Sequence, residues 1–188
     1  MKRIFFISII FCINISTSAN TRYYQESAIG YSIINNNFSG LSINLTHGYI
    51  LNKYISVGLN FNLTNTNFRT NQSIYDESFS AFFVGPNIKL QKEFFNRVSV
   101  NLNGGIGKIK INNTYELKKI PVEPDNLQLF TYSQAISGEY WGNSVKLGGS
   151  VYYKTKIFDI GISISRISCN KFQKYRNSQY LVSIYKSF

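Results

Sequence analysis

"ISVGLNFNLT", residues 55–64, decides the fold: Ile55, Val57, Leu59, Phe61 and Leu63 alternate without a break against Ser56, Gly58, Asn60, Asn62 and Thr64. Side chains alternate across a β-strand, so this segment has one wholly apolar face and one face of small polar groups. Two architectures use such a strand. A soluble sandwich turns the apolar face inward, and a membrane barrel turns it outward to lipid.

The same period of two returns in "LSINLTHGYIL" (41–51), "NSVKLGGSVYYK" (143–154) and "FDIGISIS" (158–165). Weaker alternation covers about 26–34, 79–91, 97–112 and 179–188. Helical spacing fits none of these segments, and together they predict eight strands. In the fifth strand the apolar parity flips after Ile106, so that Ile109 and Ile111 fall on the face held by Asn101 and Asn103. A β-bulge at Gly104, Gly105 or Gly107 is the expected cause. Pro86 cannot donate a ladder hydrogen bond, which weakens the fourth strand.

The connections sort by length. Short ones fall at 52–53, 92–96 and 155–157, and longer polar ones at 35–40, 65–78, 113–138 and 169–178. On an up-and-down path all the short turns lie at one end and all the long loops at the other, as in outer-membrane barrels. A Greek-key sandwich has no reason to sort its loops. Aromatics gather at the turns: Tyr49 and Tyr54 flank the first, Phe94 and Phe95 lie in the second, and Tyr152, Tyr153 and Phe158 bracket the third, with Trp141 at the other rim. Two aromatic girdles of this kind mark membrane interfaces. The polar parity carries few charges, Lys89 and Lys146 among them, whereas a soluble surface carries many. The expected fold is therefore all-β, an eight-stranded antiparallel up-and-down transmembrane barrel. Ile55, Val57, Leu59, Phe61 and Leu63 would face lipid, and Ser56, Asn60, Asn62, Lys89 and Lys146 would face the lumen.

The start of the chain is of another kind. "MKRIFFISIIFCINISTSA" has two cations, an apolar run from Ile4 to Ile13 and a small polar stretch ending at Ala19. This is the pattern of a secretory signal peptide over 1–19, with the barrel domain over 20–188. Beyond it only Cys169 remains, so no intrachain disulfide can form. Taking Lys2 and Arg3 from the formal charge of +11 leaves +9, which favours anionic partners such as lipid headgroups or surface polysaccharide. No segment has the roughly 20 apolar residues of a membrane helix.

These residues resemble a known group. "GYILNKYISVGLNFNL", "FVGPNIKLQKEF", "SVNLNGGIG" and the terminal Phe188 look like the small outer-membrane barrels of Gram-negative bacteria, including OmpA-like and OmpX-like barrels and the Bacteroidetes porin-family proteins. The resemblance implies location in the outer membrane, contact with lipopolysaccharide, and insertion by the barrel-assembly machinery through an aromatic C-terminal signal at Phe188. Lys186 departs from that signal, standing where an apolar residue is usual. The motifs belong to a fold class and specify no activity.

A catalytic constellation is missing from the sequence. Some barrels of this kind are lipid A deacylases or acyltransferases, which need a histidine beside a serine and an acid. The sole histidine is His47, and the serine offset by two residues in deacylase barrels is replaced here by Tyr49. One histidine and one remaining cysteine make no nitrogen or sulfur metal site, and Asp76 with Glu77 lacks calcium-loop spacing. No cofactor is expected. Export and scattered cations argue against nucleic acid. The expected role is non-enzymatic, structural or at the surface, with a narrow solute channel as the alternative and a lipid-modifying enzyme as a third class. Loops carry the specific contacts in such a protein. The candidates are Lys118, Lys119, Phe130 and Tyr132 in the connection 113–138, which offers a site for a surface partner, and Lys171, Lys174 and Arg176 in the fourth long loop, placed to meet lipopolysaccharide phosphates.

Overall fold

A computed structural model describes residues 22–35, 38–68, 75–94, 97–117, 136–169 and 175–188. They form eight strands: β1 (Tyr23–Ile34), β2 (Phe38–Ile50), β3 (Ile55–Phe68), β4 (Tyr75–Phe94), β5 (Val98–Leu117), β6 (Ile136–Lys154), β7 (Asp159–Cys169) and β8 (Tyr175–Ser187). Each pairs antiparallel with its sequence neighbours, and β8 returns to β1 to close the barrel. The signal segment 1–19 lies outside the described residues, as do Lys118, Lys119, Phe130, Tyr132, Lys171 and Lys174.

The register fixes the barrel's shape. Partners followed once around, from Tyr24 through Gly48, Gly58, Asn87, Gly105, Lys146, Ile167 and Asn177, return to β1 at Ile34, a stagger of ten residues. Ten residues of about 3.3 Å against eight strands about 4.8 Å apart give a tilt of about 40°. At this size side chains fill the interior.

Direction is decided by burial. Asn60 and Asn62 are 1% and 2% exposed, whereas Leu59 and Leu63 are 43% and 41% exposed. The same sense holds around the wall, where Ile88, Leu102, Leu147, Ile162 and Val182 all point outward. Hydrophobic side chains outside and polar ones inside would be ruinous in water, so the solvent of this wall is hydrocarbon.

Two expectations need correcting. No bulge interrupts β5: its pairings with β4 and β6 keep one register from Val98 to the far end. The apolar parity flips because the lumen itself changes character, and Ile109 and Ile111 point inward, each 1% exposed. The strands also run further than the alternation suggested. β4 and β5 have 20 residues each, a rise of about 50 Å at this tilt against an apolar band of about 25 Å. The connection expected over 113–138 therefore narrows to 118–135, and Arg176, expected in a loop, lies on β8. Pro86 is accommodated at the wall: β3 pairs through Leu59↔Pro86, while the β4–β5 pairing lapses at Gly85 and Pro86 and resumes in register at Asn87↔Gly105.

Candidate functional site

The lumen is built in layers. Nearest the short turns a cavity of about 310 Å³ is lined by Arg22, Gln91, Glu93, Lys154, Asp159 and Phe188, among others. Lys154 pairs there with Glu93. Tyr24, Tyr152 and Tyr185 form the next layer, with Tyr185 at 5.7 Å centroid distance from each of the other two rings. Tyr24 lies over the paired glycines Gly48 and Gly58. A Cβ on either would come within 2.7 Å of its ring or hydroxyl, so only glycine leaves room for the ring.

Above the tyrosines Lys89 forms an ion pair with Glu26, both almost fully buried. The Lys89 ammonium stands 4.6 Å from the Tyr24 ring centroid and 4.5 Å from that of Tyr185. The ammonium thus meets a carboxylate and two π faces, the pairing that a buried charge requires.

The second lumen lysine is held differently. Lys146 Nζ donates to Asn44 Oδ1 at 2.5 Å and Asn60 Oδ1 at 2.9 Å, and Asn60 Nδ2 donates onward to Thr46 Oγ1 at 2.7 Å. Next comes an amide network centred on Gln179 of β8. Its Nε2 donates to Asn62 Oδ1 at 2.8 Å and to Ser42 Oγ at 2.9 Å. Its Oε1 accepts from Asn62 Nδ2 and from Ser165 Oγ. Ser56, Asn60, Asn62, Lys89 and Lys146 are all buried inside the barrel.

The end nearest the long loops is apolar. Ile34, Phe79, Ala81, Phe83, Ile109, Ile111, Ile167, Cys169 and Tyr175 make one buried cluster, with Phe38 packed 4.6 Å from Phe79. Sequence reading missed this plug because its members are spread over five strands, and a single inward isoleucine looks like a broken alternation.

The outer wall carries the remaining polar groups. Lys110 bridges to Glu139 at 2.9 Å and stands 5.6 Å from the Trp141 ring, whose Nε1 donates to the same carboxylate. Lys108 Nζ donates to Asn143 Oδ1 at 2.6 Å. Lys110 and Trp141 hold the Glu139 carboxyl, beyond the apolar band, below the usual carboxylate range. His47 points outward on β2, between Gln25 and Leu59. Among the described residues no three metal-ligating side chains gather. At the C-terminus Phe188 is half exposed, and Lys186 Nζ stacks 4.8 Å from its ring.

No family model and no curated protein matches the chain. Solved structures do. Neisserial surface protein A is 13% identical, the match covering 92% of this chain and 100% of that one at a TM-score of 0.57. Ail, the attachment invasion locus protein of Yersinia pestis, solved with the heparin analogue sucrose octasulfate, is 16% identical over 88% and 99% at 0.54. A major outer membrane protein of Thermus thermophilus is 9% identical over 90% and 100%, also at 0.54. The fold is that of the small outer-membrane barrels. At these identities the likeness speaks to the fold, and the apolar wall makes the bilayer its solvent.

Proposed function

We propose that the chain is exported by a signal peptide cleaved near Ala19, inserted by the barrel-assembly machinery through Phe188, and acts as a non-enzymatic outer-membrane barrel at the cell surface. One observation carries the reading: the interior is filled and closed at both ends, by the tyrosine layer on one side and the Phe83–Ile109–Ile111 plug on the other. The mid-lumen amides around Gln179 and Lys146 bond to one another, and with both ends of the interior covered, recognition falls to the loops and the outer rim. The heparin analogue bound to Ail agrees with a surface role for a basic barrel of this shape.

A narrow channel draws support from Lys89, Lys146 and the amides at mid-lumen, but a permeating ion would have to pass the apolar plug. A lipid-modifying enzyme would need an activated nucleophile, and the one histidine of the chain faces outward. Three measurements test the proposal. Fractionation with a heat-modifiable gel shift should place a folded barrel in the outer membrane, and recovery as a soluble periplasmic protein would overturn that. Planar-bilayer recording should give no discrete conductance; steady unitary currents would establish the channel. Lipid A mass spectra from cells with and without the protein should be identical, and a new acylation state would establish an enzyme.

A further inference from the structure

Charges inside the barrel are settled differently at its two levels. In mid-lumen each has a partner: Lys89 has Glu26, and Lys146 has the Asn44 and Asn60 amides. In the cavity nearest the short turns, ionic side chains converge from separate strands. Glu93 of β4, Lys154 of β6 and Asp159 of β7 come from one arc of the wall, and Arg22, just ahead of β1, comes from outside that arc. Lys154 pairs with Glu93. Asp159 stands opposite Lys154 in the β6–β7 register and accepts a backbone N–H from Thr155. Neither Asp159 nor Arg22 makes an ion pair among the described residues. An acid and a base thus line one cavity without pairing with each other.

The balance of charge narrows what could fill the space. Two cations and two carboxylates sum to no net charge, so neither a bare anion nor a bare cation is favoured over a molecule that carries both. A metal ion is disfavoured further, because among the described residues no three metal-ligating side chains gather. The volume of about 310 Å³ lies at the lower end of the roughly 300–1,000 Å³ usual for small-molecule sites. Ile50, Tyr185 and Phe188 set apolar surface beside the charges. Arg22 is exposed and Asp159 half-buried, so solvent reaches both.

We propose that this cavity binds a small zwitterion, a short peptide with free ammonium and carboxylate groups, the carboxylate on Arg22 and the ammonium on Asp159. The guanidinium fork matches a carboxylate through two parallel hydrogen bonds, and the body of the peptide lies against Ile50 and Phe188. The cavity lies below the tyrosine layer, outside the closed interior, so a peptide reaches it without passing Tyr24, Tyr152 and Tyr185. On the outer-membrane reading above its mouth faces the periplasm. The binding chemistry does not depend on that reading, so fractionation and binding can fail separately.

The mature barrel, folded in detergent with the gel shift as control, is offered three labelled peptides in equilibrium dialysis. Alanyl-alanine carries both charges, N-acetyl-alanyl-alanine the carboxylate alone, and alanyl-alaninamide the ammonium alone. The parent should bind alanyl-alanine saturably, and capping either end should weaken binding about 10-fold, the loss expected for one charged contact. Arg22→Gln should bind alanyl-alanine and its amide alike, and Asp159→Asn should bind alanyl-alanine and its N-acetyl form alike. Lys108→Gln, on the outer wall toward the other end, should match the parent with all three. No saturable binding of alanyl-alanine, equal binding of the three peptides by the parent, or equal losses in all three variants would overturn the site. The peptide comparison uses the parent protein alone and decides the matter even if a variant does not fold.

Discussion

Replacing Lys89 by methionine removes the ammonium from between Tyr24 and Tyr185 and leaves Glu26, 3% exposed, without its ion-pair partner. Removing one member of a buried ion pair costs about 3–5 kcal/mol, because the other charge stays desolvated. Glu26→Gln should cost a similar amount for the same reason, now leaving a buried ammonium. The combination K89M/E26Q leaves no charge and refills the space, so it should cost under about 2 kcal/mol, giving a coupling of several kcal/mol between the two positions. Equilibrium unfolding in urea from lipid vesicles measures this, followed by the emission of Trp141, the chain's one tryptophan. If Lys89→Met alone cost under about 1 kcal/mol, or the double variant cost the sum of the singles, the ion pair would not be the buried, coupled unit described here.

Four further outcomes are expected. Leu59→Arg puts a charge on the outward face beside Pro86 and should destabilise the inserted barrel by about 2–4 kcal/mol; a variant that melts like the parent would mean the wall is inside out. Gly58→Ala places a methyl 2.7 Å from the Tyr24 hydroxyl and against the His47 carbonyl. It should cost about 1–3 kcal/mol by the same unfolding assay. Cys169, 2% exposed within the plug, should resist maleimide in the folded barrel and react on unfolding; rapid labelling of the folded protein would show the plug open. Acidification should alter Trp141 emission as Glu139 takes up a proton and ceases to accept from the indole, with a midpoint below that of an ordinary glutamate. Glu139→Gln should abolish that titration, and a midpoint at or above the ordinary value would contradict the Lys110 contact.

How far the sequence could be read follows from what each feature depends on. Alternation is local, so "ISVGLNFNLT" and its relatives disclosed eight strands and their two faces, and connection lengths disclosed which ends share a rim. Strand ends were harder. Beyond the bilayer the wall of β4 and β5 has no apolar demand, so "YDES" and "NNTYEL" look like loop while the ladder continues through them. The interior was hardest of all. Glu26 and Lys89 are 63 residues apart, and Gln179 and Asn62 are 117 apart. Only the stagger of the closed barrel brings them to one level, and no periodicity encodes that.

The position of Gln179 has a consequence for how this wall is completed. It belongs to the last strand, and its amide reaches across the lumen to Ser42 and Asn62, side chains of the second and third. Until β8 arrives Ser42 and Asn62 have only partners on β2 and β3, namely each other, Thr64 and backbone carbonyls. A slip of β8 by two residues along β1 would keep most of the backbone ladder and the inside–outside parity, yet would carry Gln179 away from its partners. Closure is thus proofread from within: the seam can zip in several registers, but one of them alone brings Gln179 to Ser42 and Asn62.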